Sequence, residues 1–398
     1  MQGYEPLDVA AHDLTAPIES KPRLVLTFTN ILNRPVTGKL SVKLGEMTLD
    51  GAEQTVSLAA NETKNVTVQV AAGSAVPSNS YRLSLVFDAG ADGRKAHEET
   101  LHVNYIARRT IAVDGDLADW KGVLPQTITP AQGLAKSLTE KAWLPFEKLD
   151  SAEARGLSIG YLAYDDTYFY FAAKIADGTP YDGNVRFENR DDDAYYYPQT
   201  VTDTKGHTYA WPQDVRRFSY RKNPDLPSGD RTDNVQIAFN VVPTAQKHLL
   251  PAPPGTMPRF MCYEDTDYEY ALNPVAEAYG GGTEVWRLLA PGMPRKHFFP
   301  RQPKAAIDGG AVKQAKLVIK RDGDTRIVEC ALPWSEIPLV RQRMEAGEKI
   351  KFSFRVNNND RSAAELAAGR SVSKENFLAF HNDFATHWAN ELEFAFEK

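Results

Sequence analysis

Leu24-Val25-Leu26-Thr27-Phe28-Thr29, Gly38-Lys39-Leu40-Ser41-Val42-Lys43-Leu44, Lys64-Asn65-Val66-Thr67-Val68-Gln69-Val70, Tyr81-Arg82-Leu83-Ser84-Leu85-Val86-Phe87 and Thr100-Leu101-His102-Val103-Asn104-Tyr105 are short runs that repeat apolar side chains with a period of two. Successive side chains of a strand point to opposite faces, so each run buries one face and wets the other. Asn33-Arg34-Pro35, Leu49-Asp50-Gly51 and Ala91-Asp92-Gly93 break the runs with turn chemistry. That spacing predicts an antiparallel sandwich over residues 1–107 with almost no helix.

Working outward, the whole chain has 398 residues, of which 42% are hydrophobic and 25% charged. This composition supplies sizeable cores and room for about two or three domains of ordinary size. The net charge of −6 gives no footprint for nucleic acid or an anionic membrane, and a neutral or cationic partner fits better. Apolar runs such as Arg23–Thr29 and Tyr168–Ile175 are too short to span a bilayer, which takes about 20 residues. Met1-Gln2-Gly3 leads into Tyr4-Glu5-Pro6-Leu7-Asp8 with neither a basic nor an apolar leader region, so no signal peptide is expected within the chain. Cys262 and Cys330 are the only cysteines. Two are too few for a disulfide scaffold or a thiolate metal site, and the pair reads either as one bridge or as two buried thiols.

Thr29-Asn30, then Gly38, Leu40 and Val42, followed by a strand opened through Leu58, Ala60, Glu62 and Thr63, resembles the immunoglobulin-like spacer domains of secreted bacterial enzymes. After Arg108-Arg109 the character changes. Ile111-Ala112-Val113-Asp114-Gly115-Asp116-Leu117-Ala118-Asp119-Trp120 places an Asp-Gly turn before a short helical start whose Trp can close the end of a sandwich. This segment resembles the opening motif of family 9 carbohydrate-binding modules and their DOMON-like relatives.

Three further stretches match that family in order: Leu157–Ile175, as a hairpin turning at Asp165-Asp166; Arg231–Asn240; and Glu329-Cys330-Ala331-Leu332-Pro333-Trp334-Ser335-Glu336-Ile337, ahead of closing strands at Ile350–Asn357 and Asn390–Phe396. The resemblance implies an all-β fold, with a DOMON-like, family-9-type antiparallel sandwich over residues 108–398. Because such domains are usually shorter, insertions are expected at about 181–227 and 243–303. They carry Tyr195-Tyr196-Tyr197, Trp211, Tyr279-Gly280-Gly281-Gly282 and Trp286, an aromatic content that suits ordered rims.

Sugar recognition needs flat aromatic faces and a few placed polar groups. Trp388, in His387-Trp388-Ala389-Asn390, stands where the resembling family carries one stacking tryptophan; the alternative is a core aromatic. Where the family carries its second, this chain has Gly229-Asp230-Arg231, leaving Trp211 or Tyr196 and its neighbours as replacements. The family's strand glutamate corresponds to Gln236 and its strand glutamine to Arg355, both able to bond hydroxyls. Its middle-strand arginine falls near Tyr270 or Ala271, so one charged contact is expected to be missing. His387 completes the candidate carbohydrate set. Trp120 and Trp334 read as core, whereas Trp143 stays undecided.

Asp191, Asp192 and Asp193 offer oxygen ligands for a structural calcium, against the plainer alternative of a solvated acidic loop. No phosphate loop, nucleophile elbow or metal-binding His pair appears in the sequence. DOMON-like sandwiches also hold haem, for which Met261, Met293, His297 and His381 are available without a matching pattern. The expected function is non-catalytic binding of a polysaccharide or oligosaccharide, in a secreted or periplasmic protein that links these sandwiches covalently to a catalytic domain. Structural bracing of that domain is the alternative, and haem-based electron transfer a more remote one.

Overall fold

The computed structural model describes residues 5–128, 158–177, 233–241, 268–275, 277, 280–291, 310–357 and 392–398, together with the strand backbones at 183–187, 197–202, 208–213, 218–222, 363–365 and 372–373. The chain is all-β and divides into two compact units. One comprises Met1–Tyr105 with Leu124–Gln126, the other Ile106–Val123 with Thr127–Lys398.

The first unit contains β1 (Leu7–Ala11), β2 (Arg23–Asn30), β3 (Val36–Leu44), β4 (Thr48–Asp50), β5 (Glu53–Leu58), β6 (Thr63–Ala72), β7 (Tyr81–Asp88) and β8 (Arg94–Leu101). They form two four-stranded antiparallel sheets, in the orders β1-β2-β6-β4 and β5-β3-β7-β8. The alternation in sequence becomes alternation in burial, as in β3, where Val36, Gly38, Leu40, Val42 and Leu44 are buried and the residues between them exposed. Leu24, Leu26, Phe28, Leu40, Leu44, Leu83, Leu85 and Phe87 meet in the core between the sheets.

One end of this unit is tied by buried amides. Asn79, fully buried with φ 51°, accepts from the Val103 amide at 2.9 Å and donates to the carbonyls of Val103 at 2.9 Å and Pro125 at 3.0 Å. Gln126 donates to the same Val103 carbonyl at 3.0 Å. On the other side Leu14 bridges Val103 in parallel, and the Asp13 carboxylate accepts from the His102 amide at 2.8 Å and the Asn104 side chain at 3.0 Å.

The second unit opens with β9 (Tyr105–Arg108), β10 (Gln126–Ile128), β11 (Ser158–Tyr164) and β12 (Tyr168–Ala176). β13 (Gly183–Phe187) pairs with β16 (Phe218–Lys222), and β14 (Tyr197–Thr202) pairs with β15 (Thr208–Gln213). Next come β17 (Asn234–Asn240), β18 (Tyr268–Pro274), β19 (Thr283–Leu289), β20 (Lys316–Asp322), β21 (Thr325–Pro333) and the helix α1 (Pro338–Glu345). The last are β22 (Ile350–Asn357), β23 (Ala363–Glu365), β24 (Val372–Ser373) and β25 (Leu392–Phe396). Hydrogen bonding runs along the path β19-β18-β17-β22-β25-β9-β11-β12-β21-β20, in which β9 pairs with β11 in parallel while β11 and β12, and β17 and β22, pair antiparallel. The path bends over on itself, burying Phe169, Phe171, Phe239, Phe352, Phe354, Phe394 and Trp334 against one another. Phe169 and Phe239 meet edge to face at 4.9 Å, a favourable arrangement of aromatic quadrupoles.

The span 243–303, expected as an insertion, therefore supplies two sheet strands, β18 and β19. Tyr268-Glu269-Tyr270-Ala271-Leu272 alternates as a strand does, and Gly280-Gly281-Gly282 is the turn into β19 rather than an aromatic rim. The span 181–227 holds the two separate strand pairs β13–β16 and β14–β15.

The motif residues act as fasteners. Glu329 Oε1 accepts from the Trp120 indole at 2.7 Å, and its Oε2 accepts from the amides of Asp114 at 3.0 Å and Gly115 at 2.6 Å. Gly115 has φ +81°, and a Cβ there would lie 2.8 Å from the Lys320 side chain, so both turn and space exclude a larger residue. Asp165 caps its hairpin turn by accepting from Thr167 and Tyr168 amides at 2.7 and 2.9 Å and from the Tyr170 hydroxyl at 2.7 Å, while its carbonyl accepts from the Trp334 indole at 2.8 Å. Trp120 and Trp334 are buried, as a core role requires. At the far end of the hairpin, Arg321 lies 2.7 Å from Asp177 and 3.2 Å from Asp233, and Arg326 lies 3.4 Å from each. Cys330 is a free, buried thiol on the core side of β21, and burial pushes its pKa up to about 12; Cys262 lies outside the described residues.

Candidate functional site

The strands β22, β17, β18 and β19 have one apolar face and one polar face. Val235, Ile237 and Phe239 on β17, Tyr268, Tyr270 and Leu272 on β18, and Ile350, Phe352, Phe354 and Val356 on β22 enter the core. Period-two alternation then sends Asn234, Gln236 and Asn240, Glu269 and Asn273, and Lys351, Ser353 and Arg355 to the opposite face.

Register sets these side chains in rows across the sheet. Gln236 stands opposite Arg355 on one side and Ala271 on the other, and Ala271 stands opposite Trp286. The row thus reads Arg355, Gln236, Ala271, Trp286, with Glu365 of β23 opposite Arg355 at its other end. Beside it run Ser353, Ala238 and Glu269, and beyond that Asn240 opposite Lys351. Asn273 and Glu284 form a further cross-strand pair, the Asn273 amide donating to the Glu284 carboxylate at 3.1 Å.

Gln236 and Arg355, the two polar positions expected from sequence, are brought opposite each other. Gln236 is 0% exposed, Arg355 1%, and Glu269 3%. Gln236 donates to Glu269 Oε1 at 2.6 Å. This bond fixes the orientation of the amide on the sheet face. The middle strand carries the carboxylate Glu269 and the small Ala271 on this face, with Tyr270 turned into the core. Trp286, which sequence reading placed in an inserted loop, belongs to the row. The plane of its indole leaves no room beside Gly310, where a Cβ would come within 2.1 Å of the ring. Hydrogen bonds from Arg287 to the Gly310 carbonyl at 2.6 Å and from Val312 to the Val285 carbonyl at 2.9 Å hold that segment in place.

Glu269, Asn273 and Glu284 share this face with Gln236 and Arg355 although no sequence motif marks them, and Trp286 was expected on an inserted rim. Their signal is the alternation itself, polar at every second position in strands whose other positions are large and apolar. Trp211 lies on β15 opposite Gln199. Tyr196, His387, Trp388 and the calcium candidates Asp191, Asp192 and Asp193 lie outside the described residues, as do Met261, Met293, His297 and His381. Among the described residues no group of three or more His, Cys, Asp or Glu side chains is placed to hold a metal ion. No described helix is long and apolar enough to cross a membrane.

The face combines carboxylates, primary amides, a guanidinium and an ammonium. Such a set can donate and accept hydrogen bonds in alternation, the chemistry that recognises vicinal hydroxyls. No protein-family profile matches the chain, and no curated protein matches it. Among solved structures, it is similar to a family 9 carbohydrate-binding module from Caldicellulosiruptor kristjanssonii in complex with cellotriose, at 13% identity and a TM-score of 0.34, covering 74% of this chain and 93% of that one. The same module in complex with glucose gives 13% identity and a TM-score of 0.33, with 74% and 94% covered.

Proposed function

We propose that the second unit is a non-catalytic carbohydrate-binding module that takes an oligosaccharide or polysaccharide on the polar face of β22, β17, β18 and β19. The observation that carries this reading is the row Arg355, Gln236, Ala271 and Trp286, flanked by Glu269 and Asn273. Charged and amide side chains are seldom buried unless they are paired or hydrogen-bonded, so a face that gathers this many holds them in fixed orientations. On this reading the first unit is an immunoglobulin-like spacer, the protein acts outside the cytoplasm, and a covalently linked catalytic domain profits from the attachment. Trp388 and Trp211 supply stacking aromatics, and a calcium ion at Asp191–Asp193 is structural.

The second reading, a bracing module, is favoured by the engagement of Gln236 with Glu269 and by the burial of the whole row. Affinity electrophoresis of the full chain through gels containing neutral and acidic polysaccharides separates the two. Retardation by a glycan that Gln236→Ala and Trp388→Ala both abolish, with the melting midpoint held, supports binding. Unretarded migration in every gel, together with a midpoint that collapses in Gln236→Ala, favours bracing.

A further inference from the structure

We propose that the first unit clamps the segment Ile106–Val123, which completes the second unit, and that Asn79 is the positioning residue of the clamp. The chain leaves the first unit after Tyr105, contributes Ile106–Val123 to the second, and returns to the first at Leu124–Gln126. This segment is structural in the second unit. Its β9 residues lie between β25 and β11, with the Glu397 amide donating to the Ile106 carbonyl at 2.9 Å and Ala107 in register with Ala163. Farther along, Asp114, Gly115 and Trp120 converge on Glu329.

The two ends of the segment are held together inside the first unit. One side-chain amide, that of Asn79, reaches Val103 and Pro125 at once, and Gln126 adds a second bond to Val103. The segment is thus a loop pinched at its base. Closing the base removes most of the freedom the segment would have if it detached, as a cross-link does, and so lowers the population in which it peels away from the sheet. The first unit then does more than space the second from its neighbours: it keeps one of the second unit's own strands in place.

Hydrogen–deuterium exchange of the full chain tests this. Asn79→Ala is expected to raise exchange of amides in residues 111–123 by about 3- to 10-fold, less than full release of a loop of this length because the Gln126 bond to Val103 remains, while β12 and β21 amides stay protected. The control is Asn30→Ala. Asn30 is an equally buried amide of the first unit that bonds Arg34 and Ala59 carbonyls far from the pinch. It should loosen the first unit without affecting residues 111–123. Faster exchange in Asn79→Ala confined to the first unit would overturn the proposal, and so would equal acceleration of residues 111–123 by both variants. If Asn79→Ala unfolds the first unit outright, the clamp is open, and unchanged protection of residues 111–123 is again the refuting result.

Discussion

Replacing Glu329 by glutamine isolates the fastener that joins the two most recognisable motifs of the second unit. The carboxylate is fully buried and accepts from three donors, the Trp120 indole and the amides of Asp114 and Gly115. A glutamine can turn its oxygen toward the two amides, but its own NH₂ then confronts the indole N–H. One buried donor is left unsatisfied, at about 1–3 kcal/mol, and the two remaining bonds fall from charge-assisted to neutral strength, losing about 1 kcal/mol each. Burial outweighs these donors and raises the Glu329 pKa above its ordinary value, so ionisation carries a desolvation cost that the amide escapes. The net expectation is a loss of about 2–4 kcal/mol, or roughly 5–10 °C in the unfolding midpoint of the second unit. Tryptophan fluorescence against temperature and urea measures it. Because a raised carboxyl pKa withdraws stability as pH climbs from the unfolded to the folded value, the deficit should also narrow over that interval. A midpoint within about 1 °C of wild type would refute the argument that Glu329 fastens the opening motif.

Four further outcomes are expected. Asp233→Asn should destabilise the second unit by about 3–5 kcal/mol in chemical denaturation, since it removes one of two carboxylates balancing the buried Arg326. In Gly310→Ala the new methyl must displace the Trp286 indole, so calorimetry should record a loss of about 1–3 kcal/mol. Asp165 is buried in part, yet bonds from Tyr170, Thr167, Tyr168 and Thr110 hold its carboxyl below the ordinary range. Its contribution is therefore present above the unfolded pKa and lost as pH falls through the folded one, and Asp165→Asn should flatten the acid limb of stability against pH. Finally, Cys330 should react with a thiol reagent only after denaturation, as its burial and raised pKa require.

The all-β character was legible because period-two alternation survives wherever one strand face is dry, and β2, β3 and β7 show it without interruption. Trp120 and Trp334 were legible as core through their places in motifs. β18 and β19 were harder to see because the turn glycines and flanking prolines suggested a loop, and because the long stretch between β17 and β18 hides the pairing of those two strands. The polar row was only half legible. Gln236 and Arg355 could be found one at a time, but Trp286 becomes their neighbour only through register across four strands. The return of Leu124–Gln126 to the first unit had no sequence signal, since its partner is an asparagine in a turn.

The place of β9 in the sheet also bears on how the protein is made. Ile106 lies near the start of the second unit and bonds Glu397, so the path from β22 through β25 to β11 cannot be completed until Glu397 has left the ribosome. At typical synthesis rates of about 5–20 residues per second, β9 waits roughly 15–60 s for β25. During that interval β11 and β12 have formed a local hairpin with an open strand edge, the state in which β proteins pair with the wrong chain. With both ends of Ile106–Val123 pinched together, β9 sits on a short closed loop, which narrows the conformations to be searched once β25 appears.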